Sequence, residues 1–433
     1  MKRNIFKICL AALIVSGTFT SCSNDREDKF DELSSVRESK QAKELEELLF
    51  SADHGWKLQY FTDDTELGGY TFLMKFHGGN YVEMISDFDE DGYKLQGSEY
   101  QIQLRGTTAL VFVTENKIHK LSDPYNSPTT NAEGYKGDFQ FRYYGKTEEE
   151  IIFRGTKNIK KEIRFVKATA EDWKDFENRK PISANMVDLD SPIFRSFEIT
   201  KGGNTKRYDG VFGSATRFFE FNENDSELGN ISKGFGLGYT NDGAIISPSL
   251  DIDGVEIKNF KWDNTKKELV SINSGDVKVV IKNVKSPTKW MQDYKELTTS
   301  VSRQRLLYDV TDDIRRSSGN SEYFRKANIG ADGNEIVSSI DTRFENGRIT
   351  IIYESKGQGI SYSGIINDNN GRITISNGSW QGSASGELKG LHDKLYPTTG
   401  FFLKKQSYKV KYSNVVWTII SGTDTTAFDS WRL

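Results

Sequence analysis

Beyond residue 55 apolar and polar positions alternate along most of the chain, and that alternation predicts short β-strands. Trp56/Leu58/Tyr60, Phe72/Met74/Phe76, Tyr100/Ile102/Leu104 and Phe139/Phe141/Tyr143 are interleaved with Lys57, Gln59, Lys75, Gln101, Gln103, Gln140 and Arg142. Successive side chains of a strand point to opposite faces, so each run offers one face to a core and the other to water. Tyr81–Ser86, Ala109–Thr114, Glu150–Arg154 and Glu162–Lys167 read the same way, and Gly, Asn or Asp bounds each run. About eight such strands in succession predict an antiparallel meander, closed as a barrel or folded as a sandwich.

Helical spacing breaks the pattern in three places. Val36, Ala42, Leu45, Leu48 and Leu49 recur at helical intervals and predict an amphipathic helix ending before His54-Gly55. Thr169 to Arg179 reads as a short helix stopped by Pro181. Ser286-Pro287 opens a third helical stretch, 287–316, with Met291, Tyr294, Leu297 and Val301 as one stripe and Leu307, Val310 and Ile314 as another. Between the last two lie strand candidates Phe194–Thr200, Thr216–Asn222, Phe235–Thr240, Ala244–Ser247, Glu256–Trp262 and Asp276–Lys282. After them come Arg348–Glu354, Ile360–Ile366, Arg372–Asn377, Gly400–Lys404, Tyr408–Tyr412 and Val415–Ser421, with tight-turn pairs at Asn346-Gly347, Asn370-Gly371 and Asn377-Gly378. The expected fold is mainly β with a few helices, built as antiparallel meander barrel or sandwich domains, lipocalin-like or sandwich. A length of 433 residues calls for two or more cores. The expected division is a helix plus β-meander domain at 34–180 and a second β-rich domain at 181–433 with the helical insertion at about 287–316, the second part being either one unit or two packed sheets bridged by those helices.

The first 21 residues read as an address rather than as fold. Lys2, Arg3 and Lys7 precede the apolar run Ile8–Val15, and small residues follow. Eight residues rising about 1.5 Å each cannot cross a hydrocarbon layer of roughly 30 Å, so the segment reads as a secretory signal. Phe19-Thr20-Ser21-Cys22 resembles a bacterial lipobox, in which Cys22 is acylated and becomes the new N-terminus. More than one acyl chain suffices for stable anchoring without a transmembrane helix. The chain at 22–33 would then be a lipidated acidic tether; its Ser23-Asn24-Asp25-Arg26-Glu27-Asp28 resembles the export signal that sends Bacteroidota lipoproteins to the outer face of the outer membrane.

Composition narrows the field further. The formal charge is −4, with 58 Lys+Arg against 62 Asp+Glu, which argues against a nucleic-acid partner. The two cysteines are Cys9 and Cys22. Cys9 lies in the segment expected to be removed and Cys22 would be acylated, leaving neither a disulfide nor a thiolate metal site.

Candidate chemistry is sparse. Asp87-Phe88-Asp89-Glu90-Asp91-Gly92 sets Asp87, Asp89 and Asp91 at alternate positions before a glycine, an oxygen-rich arrangement that suits Ca2+. A twelve-residue calcium loop beginning at Asp87 would place Ser98 at its last ligand position, so an acidic hairpin loop is the competing reading. His54, His77, His119 and His392 form no metal-ligand spacing. No nucleophile elbow, phosphate loop or dinucleotide fingerprint follows a strand. Paired carboxylates for glycoside hydrolysis leave no sequence spacing to find. Trp380, in the Gly/Ser-rich stretch Asn377–Gly382, reads as an aromatic platform in a loop, while Trp56, Trp262 and Trp417 read as core.

His54-Gly55-Trp56-Lys57-Leu58-Gln59-Tyr60-Phe61, Gly68–Phe76, Ile118–Pro124 with Gly137–Phe141, and Gly238–Gly243 leading to Phe260-Lys261-Trp262 together resemble an uncharacterised family of Bacteroidota outer-membrane lipoproteins, a domain of unknown function. The resemblance implies a place beside TonB-dependent transporters and their starch-utilisation-type lipoprotein partners. It carries over no active-site residue. The resulting expectation is a surface-exposed, non-enzymatic accessory that binds a ligand or partner for import of peptides or glycans. A hydrolase acting on such nutrients, and a structural subunit or adhesin, are the alternatives.

Overall fold

The computed structural model describes residues 34–433 apart from 105–106, 129–132, 158–160, 187, 189–190, 193, 223–231, 273, 286–287, 289–293, 310–320, 370, 406–415, 424–426 and 433. The expected signal segment, Cys22 and the acidic tether lie outside the described residues, as does the candidate strand Tyr408–Tyr412.

Twenty-four strands among the described residues form three tandem antiparallel rings of eight. The first runs through β1 (Trp56–Phe61), β2 (Gly69–His77), β3 (Tyr81–Ser86), β4 (Gln96–Leu104), β5 (Thr108–Phe112), β6 (Gln140–Lys146), β7 (Glu150–Gly155) and β8 (Glu162–Lys167). Each strand pairs with the next, and β8 returns to β1 with Trp56 opposite Lys167. The second comprises β9 (Phe194–Lys201), β10 (Asn204–Gly213), β11 (Phe218–Asn222), β12 (Ser232–Tyr239), β13 (Gly243–Ile252), β14 (Val255–Asp263), β15 (Glu268–Ile272) and β16 (Val277–Val284). It closes where β16 pairs with β9. The third comprises β17 (Gln304–Asp309), β18 (Ser339–Glu345), β19 (Arg348–Ser355), β20 (Gln358–Asn369), β21 (Arg372–Gln381), β22 (Phe401–Lys405), β23 (Val416–Ser421) and β24 (Ala427–Arg432), closing through β24 and β17. Closure removes most unpaired edges, the standing hazard of antiparallel sheets; the exception is the β21–β22 seam, paired only at Ile373 and Phe401.

A helical segment precedes each ring, and the better-formed ones plug it. Helix α1 (Ser34–Phe50) places Leu45 and Leu49 in the core of the first barrel, where Trp56 Nε1 donates to the Leu49 carbonyl at 3.0 Å. Helix α2 (Ala170–Lys174) leads through a 3-10 turn into α3 (Arg179–Met186), whose Ile182 and Met186 enter the core of the second. In the third, α4 (Lys295–Thr298) contributes Leu297, α5 (Ser321–Ala327) Phe324, and α6 (Gly386–Leu395) Leu388, Leu391 and Leu395. Eight-stranded barrels can hold a small ligand inside. Here the interiors are filled instead: in the first barrel Phe141 is fully buried, with ring centroids 5.8–6.2 Å from Tyr60, Phe112, Phe153 and Phe165.

The expected mainly β, meander-barrel fold is the one observed, and all eight predicted strands of the first barrel are present. Strands β10, β15, β18 and β24 match no predicted run, and three further details differ. Residues 181–433 hold two closed rings, where a single β-rich unit or two packed sheets were the expected forms. The expected helical insertion at 287–316 reduces, among described residues, to the single turn of α4, and β17 occupies part of the second predicted stripe. Leu306 and Tyr308 are buried at a period of two, so closing the ring overrode a helical reading of a short apolar run. Pro181 does not stop a helix; it stands in the first turn of α3, where its missing N–H is not needed.

Truncating Phe141 to Ala is expected to cost about 3–5 kcal/mol, the usual loss for a buried aromatic ring. Denaturant titration checks this. A change below roughly 1 kcal/mol would mean that the first barrel encloses space rather than packed side chains.

Candidate functional site

The first two barrels meet end to end. One end of the first is covered by α1; the other, where β1 ends, β2 begins and β3 ends, faces the second barrel. Gly238 of β12 lies beside Gly69 of β2, and the Gly68 N–H donates to the Thr216 carbonyl at 2.7 Å. Glycines permit this approach: a Cβ on Gly68 would come within 2.6 Å of the Arg217 carbonyl oxygen, well inside contact distance.

Arg217 enters at this junction from the turn between β10 and β11. Its φ of +51° is unusual for a residue with a side chain and turns the guanidinium toward the first barrel. There Nη1 donates to Asp87 Oδ1 and to the Gly69 carbonyl, both at 3.1 Å, and Nη2 donates to the Asp87 carbonyl. Asp87 Oδ1 also accepts from the Thr71 N–H at 2.9 Å. The guanidinium carbon lies 4.3 Å from the Tyr70 ring centroid and 4.9 Å from that of Tyr239, a cation held between two π faces. Arg179, the first residue of α3, approaches from the other side with Nε 3.9 Å from Asp87 Oδ2. Its Nε donates to the Tyr239 carbonyl at 3.2 Å, and Nη1 donates to the Phe176 carbonyl and to Asn241 Oδ1. Asp87 and Arg179 are each 2% exposed and Arg217 8%.

Two guanidinium groups therefore share one carboxylate away from water. Burial works against the charge on both. It leaves the Arg179 pKa below its ordinary value; at Arg217 the adjoining Asp87 overcomes it and raises the pKa. Burial likewise raises the phenol of Tyr239 to about 12 and those of Tyr70 and Tyr135 above their usual value, so all three stay protonated at neutral pH. Beside this cluster opens a cleft of about 220 Å³, lined by Tyr70, Phe88 and Tyr135 from the first barrel, Ser183 from α3, and Phe212, Ser214, Ala215, Arg217 and Tyr239 from the second.

The acidic run predicted for calcium is divided among cations. Asp87 is turned inward to Arg217. Asp89 takes Lys120 Nζ at 2.7 Å, while Asp91 takes Lys117 Nζ at 2.8 Å and Lys120 Nζ at 3.3 Å. Lys117 and Lys120 hold the Asp91 carboxyl at about 2. The three carboxylates do not converge, and among the described residues no group of three His, Cys, Asp or Glu side chains is placed to hold a metal ion.

Trp380 lies on β21 rather than in a loop, directly across from Tyr362 on β20. Its ring centroid stands 5.1 Å from Tyr362 and 5.0 Å from His392 of α6, inside an aromatic group at the rim of the third barrel. The Gly/Ser composition that suggested a loop has a packing cause: a Cβ on Gly378 would collide with the Tyr362 ring. His392 Nδ1 shares a 2.7 Å hydrogen bond with the Tyr353 hydroxyl, and burial depresses the His392 pKa to about 4. The structure thus brings together Trp380 and His392, but places them apart from the Asp87 cluster. Arg179 and Arg217 escaped sequence reasoning because their partner is far along the chain; the Arg217–Asp87 contact spans 130 positions.

Asp87→Asn is expected to cost about 3–5 kcal/mol by leaving two buried guanidiniums without a carboxylate. Adding Arg217→Met should cost less than the sum of the two single changes, a coupling read from a double-mutant cycle. His392 carries a pH dependence. Its folded pKa of about 4 lies below the ordinary 6.5, so the unfolded chain binds the extra proton as pH falls from about 6.5 to 4. Stability should decline through that window, by up to about 3 kcal/mol. His392→Gln should flatten the decline in a denaturation series from pH 7 to pH 4.

No curated protein matches the chain. Among solved structures it is similar to a putative DNA polymerase III beta subunit from Eubacterium rectale, at 8% identity over 87% of this chain and 91% of that one. The TM-score of 0.19 is too low for that likeness to describe a shared fold. A family match spans residues 26–264, from before α1 through β14, and takes in Asp87, Arg179, Arg217 and every residue lining the cleft; the third barrel lies beyond it. On that match the chain belongs to the family described as Domain of unknown function (DUF4302).

Proposed function

We propose that the protein is a surface-exposed outer-membrane lipoprotein, anchored by acyl chains on Cys22, that binds a ligand for a nutrient-import complex built on a TonB-dependent transporter. It acts by binding rather than by chemistry. The observation that carries the binding role is the cleft at the junction of the first two barrels. Interfaces between domains are preferred places for ligand sites, and the filled first barrel leaves the junction as the opening where side chains of both barrels converge. The cleft is lined by aromatic rings, hydroxyls and one guanidinium; its lining supplies neither a carboxylate nor an imidazole to serve as general acid or base. The anchoring role is supported by the sequence: basic start, short apolar run, and Cys22 after small residues.

Location and anchoring are tested together. Mass analysis of the native chain should find an acylated N-terminal Cys22, and protease added to intact cells should degrade the protein. Cys22→Ala should abolish acylation and release the chain from the membrane fraction. A bare Cys22 sulfur, or full protection in intact cells, overturns the assignment.

A further inference from the structure

We infer that the cleft between the first two barrels takes a small carboxylate borne on a ring, with its charge toward the Arg217 guanidinium and its ring among Tyr70, Phe88 and Phe212. This rests on the binding role proposed above and names the chemical class that the cleft suits.

Charge is the first ground. Of the nine described residues that line the cleft, Arg217 alone carries a charge. Behind it Arg179 and Arg217 share Asp87, and the other acid near Arg179, Asp172, is engaged by Lys57 Nζ at 2.8 Å. The buried trio of Arg179, Arg217 and Asp87 therefore carries a net charge of +1, while the more exposed Asp63 and Glu66 of the β1–β2 loop share Lys136. Ions buried away from water interact more strongly than they would in bulk solvent. An anion entering the cleft gains from that surplus, and a cation would be repelled by it.

Donor chemistry is the second. A carboxylate only accepts hydrogen bonds, up to about four, and bonds to a charged donor are the stronger ones. Tyr135 and Tyr239 remain protonated at neutral pH, so their hydroxyls can donate, as can those of Ser183 and Ser214, whereas the Tyr70 hydroxyl already donates to the Ala215 carbonyl at 3.4 Å. Shape is the third. Five of the nine lining residues are aromatic, and flat faces favour a flat or ring-shaped partner. The volume of about 220 Å³ is room for several water molecules. That suits one six-membered ring with its substituent.

A ring-borne carboxylate can be an aromatic acid or a uronic acid of a glycan, and the test separates them. Titration calorimetry on the purified full-length protein would use benzoate and D-glucuronate, each beside a neutral counterpart, benzyl alcohol and D-glucose. The same series would be run on Ser214→Trp, which fills the cleft from the half-buried first position of the β10–β11 turn; an unchanged circular dichroism spectrum and thermal midpoint would show that it folds. At least one of the two acids should bind tenfold or more tightly than its neutral counterpart, weaken as salt rises, and lose binding in Ser214→Trp. The acid that binds more tightly identifies the source. Equal binding of acid and neutral partner, lost in Ser214→Trp, overturns the carboxylate class and leaves the binding role standing. Acid binding that survives in a folded Ser214→Trp places the site elsewhere and overturns the proposal. Absence of binding by all four probes overturns both the class and the cleft as a small-molecule site.

Discussion

A single buried carboxylate, Asp87, organises the junction on which the arrangement of the first two barrels depends. Its two oxygens face guanidiniums contributed by different parts of the second unit, Arg217 from a barrel turn and Arg179 from the plugging helix. Removing three ionised groups from water is expensive, and the attraction between them repays it only when the geometry is good and the remaining donors are satisfied. Here the donors reach the backbone carbonyls of Gly69, Asp87, Tyr239 and Phe176. Such a cluster adds little net stability over a well-packed apolar contact, and Asp87 Oδ2 is left without a hydrogen bond; its contribution is geometric, since each charge meets its partner only in this arrangement. It specifies how the two barrels meet.

Direct hydrogen bonds add to that specification: Thr71 Oγ1 donates to the Tyr239 carbonyl at 3.2 Å and Ser247 Oγ to Asp64 Oδ2 at 2.5 Å. A closed ring satisfies its own backbone and buries its own apolar face, so two rings have no compelling reason to associate. The contact relies instead on local exceptions. Glycines at 68 and 236 let the chain entering β2 come against β12, and the positive φ of Arg217 aims its side chain across the gap. The same exceptions leave a cleft whose walls belong to both barrels. Surplus positive charge, protonated phenols and aromatic faces at that point follow from the devices that join the rings.

The third barrel follows a different logic. It is plugged by α6, inserted between β21 and β22, and the pairing of these strands is confined to Ile373 and Phe401. The helix stands where a longer ladder would run, carrying His392 into the aromatic group of Tyr353, Tyr362 and Trp380. A neutral imidazole suits that place, since burial there penalises its charged form.

Much of the first barrel was legible in the amino-acid order because its strands alternate aromatic and charged residues cleanly, and period-two burial is a local property. β10 was missed for the converse reason: Asn204–Gly213 buries only Phe212 deeply, so it carries almost no alternation. The run at 304–309 was short enough to fit either period, and ring closure made it a strand. Asp87 stood out in an acidic run whose spacing suited a cation loop, yet its partner proved to be an arginine 130 positions away. Sequence by itself determined the β-rich class, the meander order and the expected export signal, all of which rest on neighbours within a few residues. Only the tertiary structure decided how many rings close, which of them meet, and where charge is concentrated between them, because those depend on contacts between residues that local patterning does not relate.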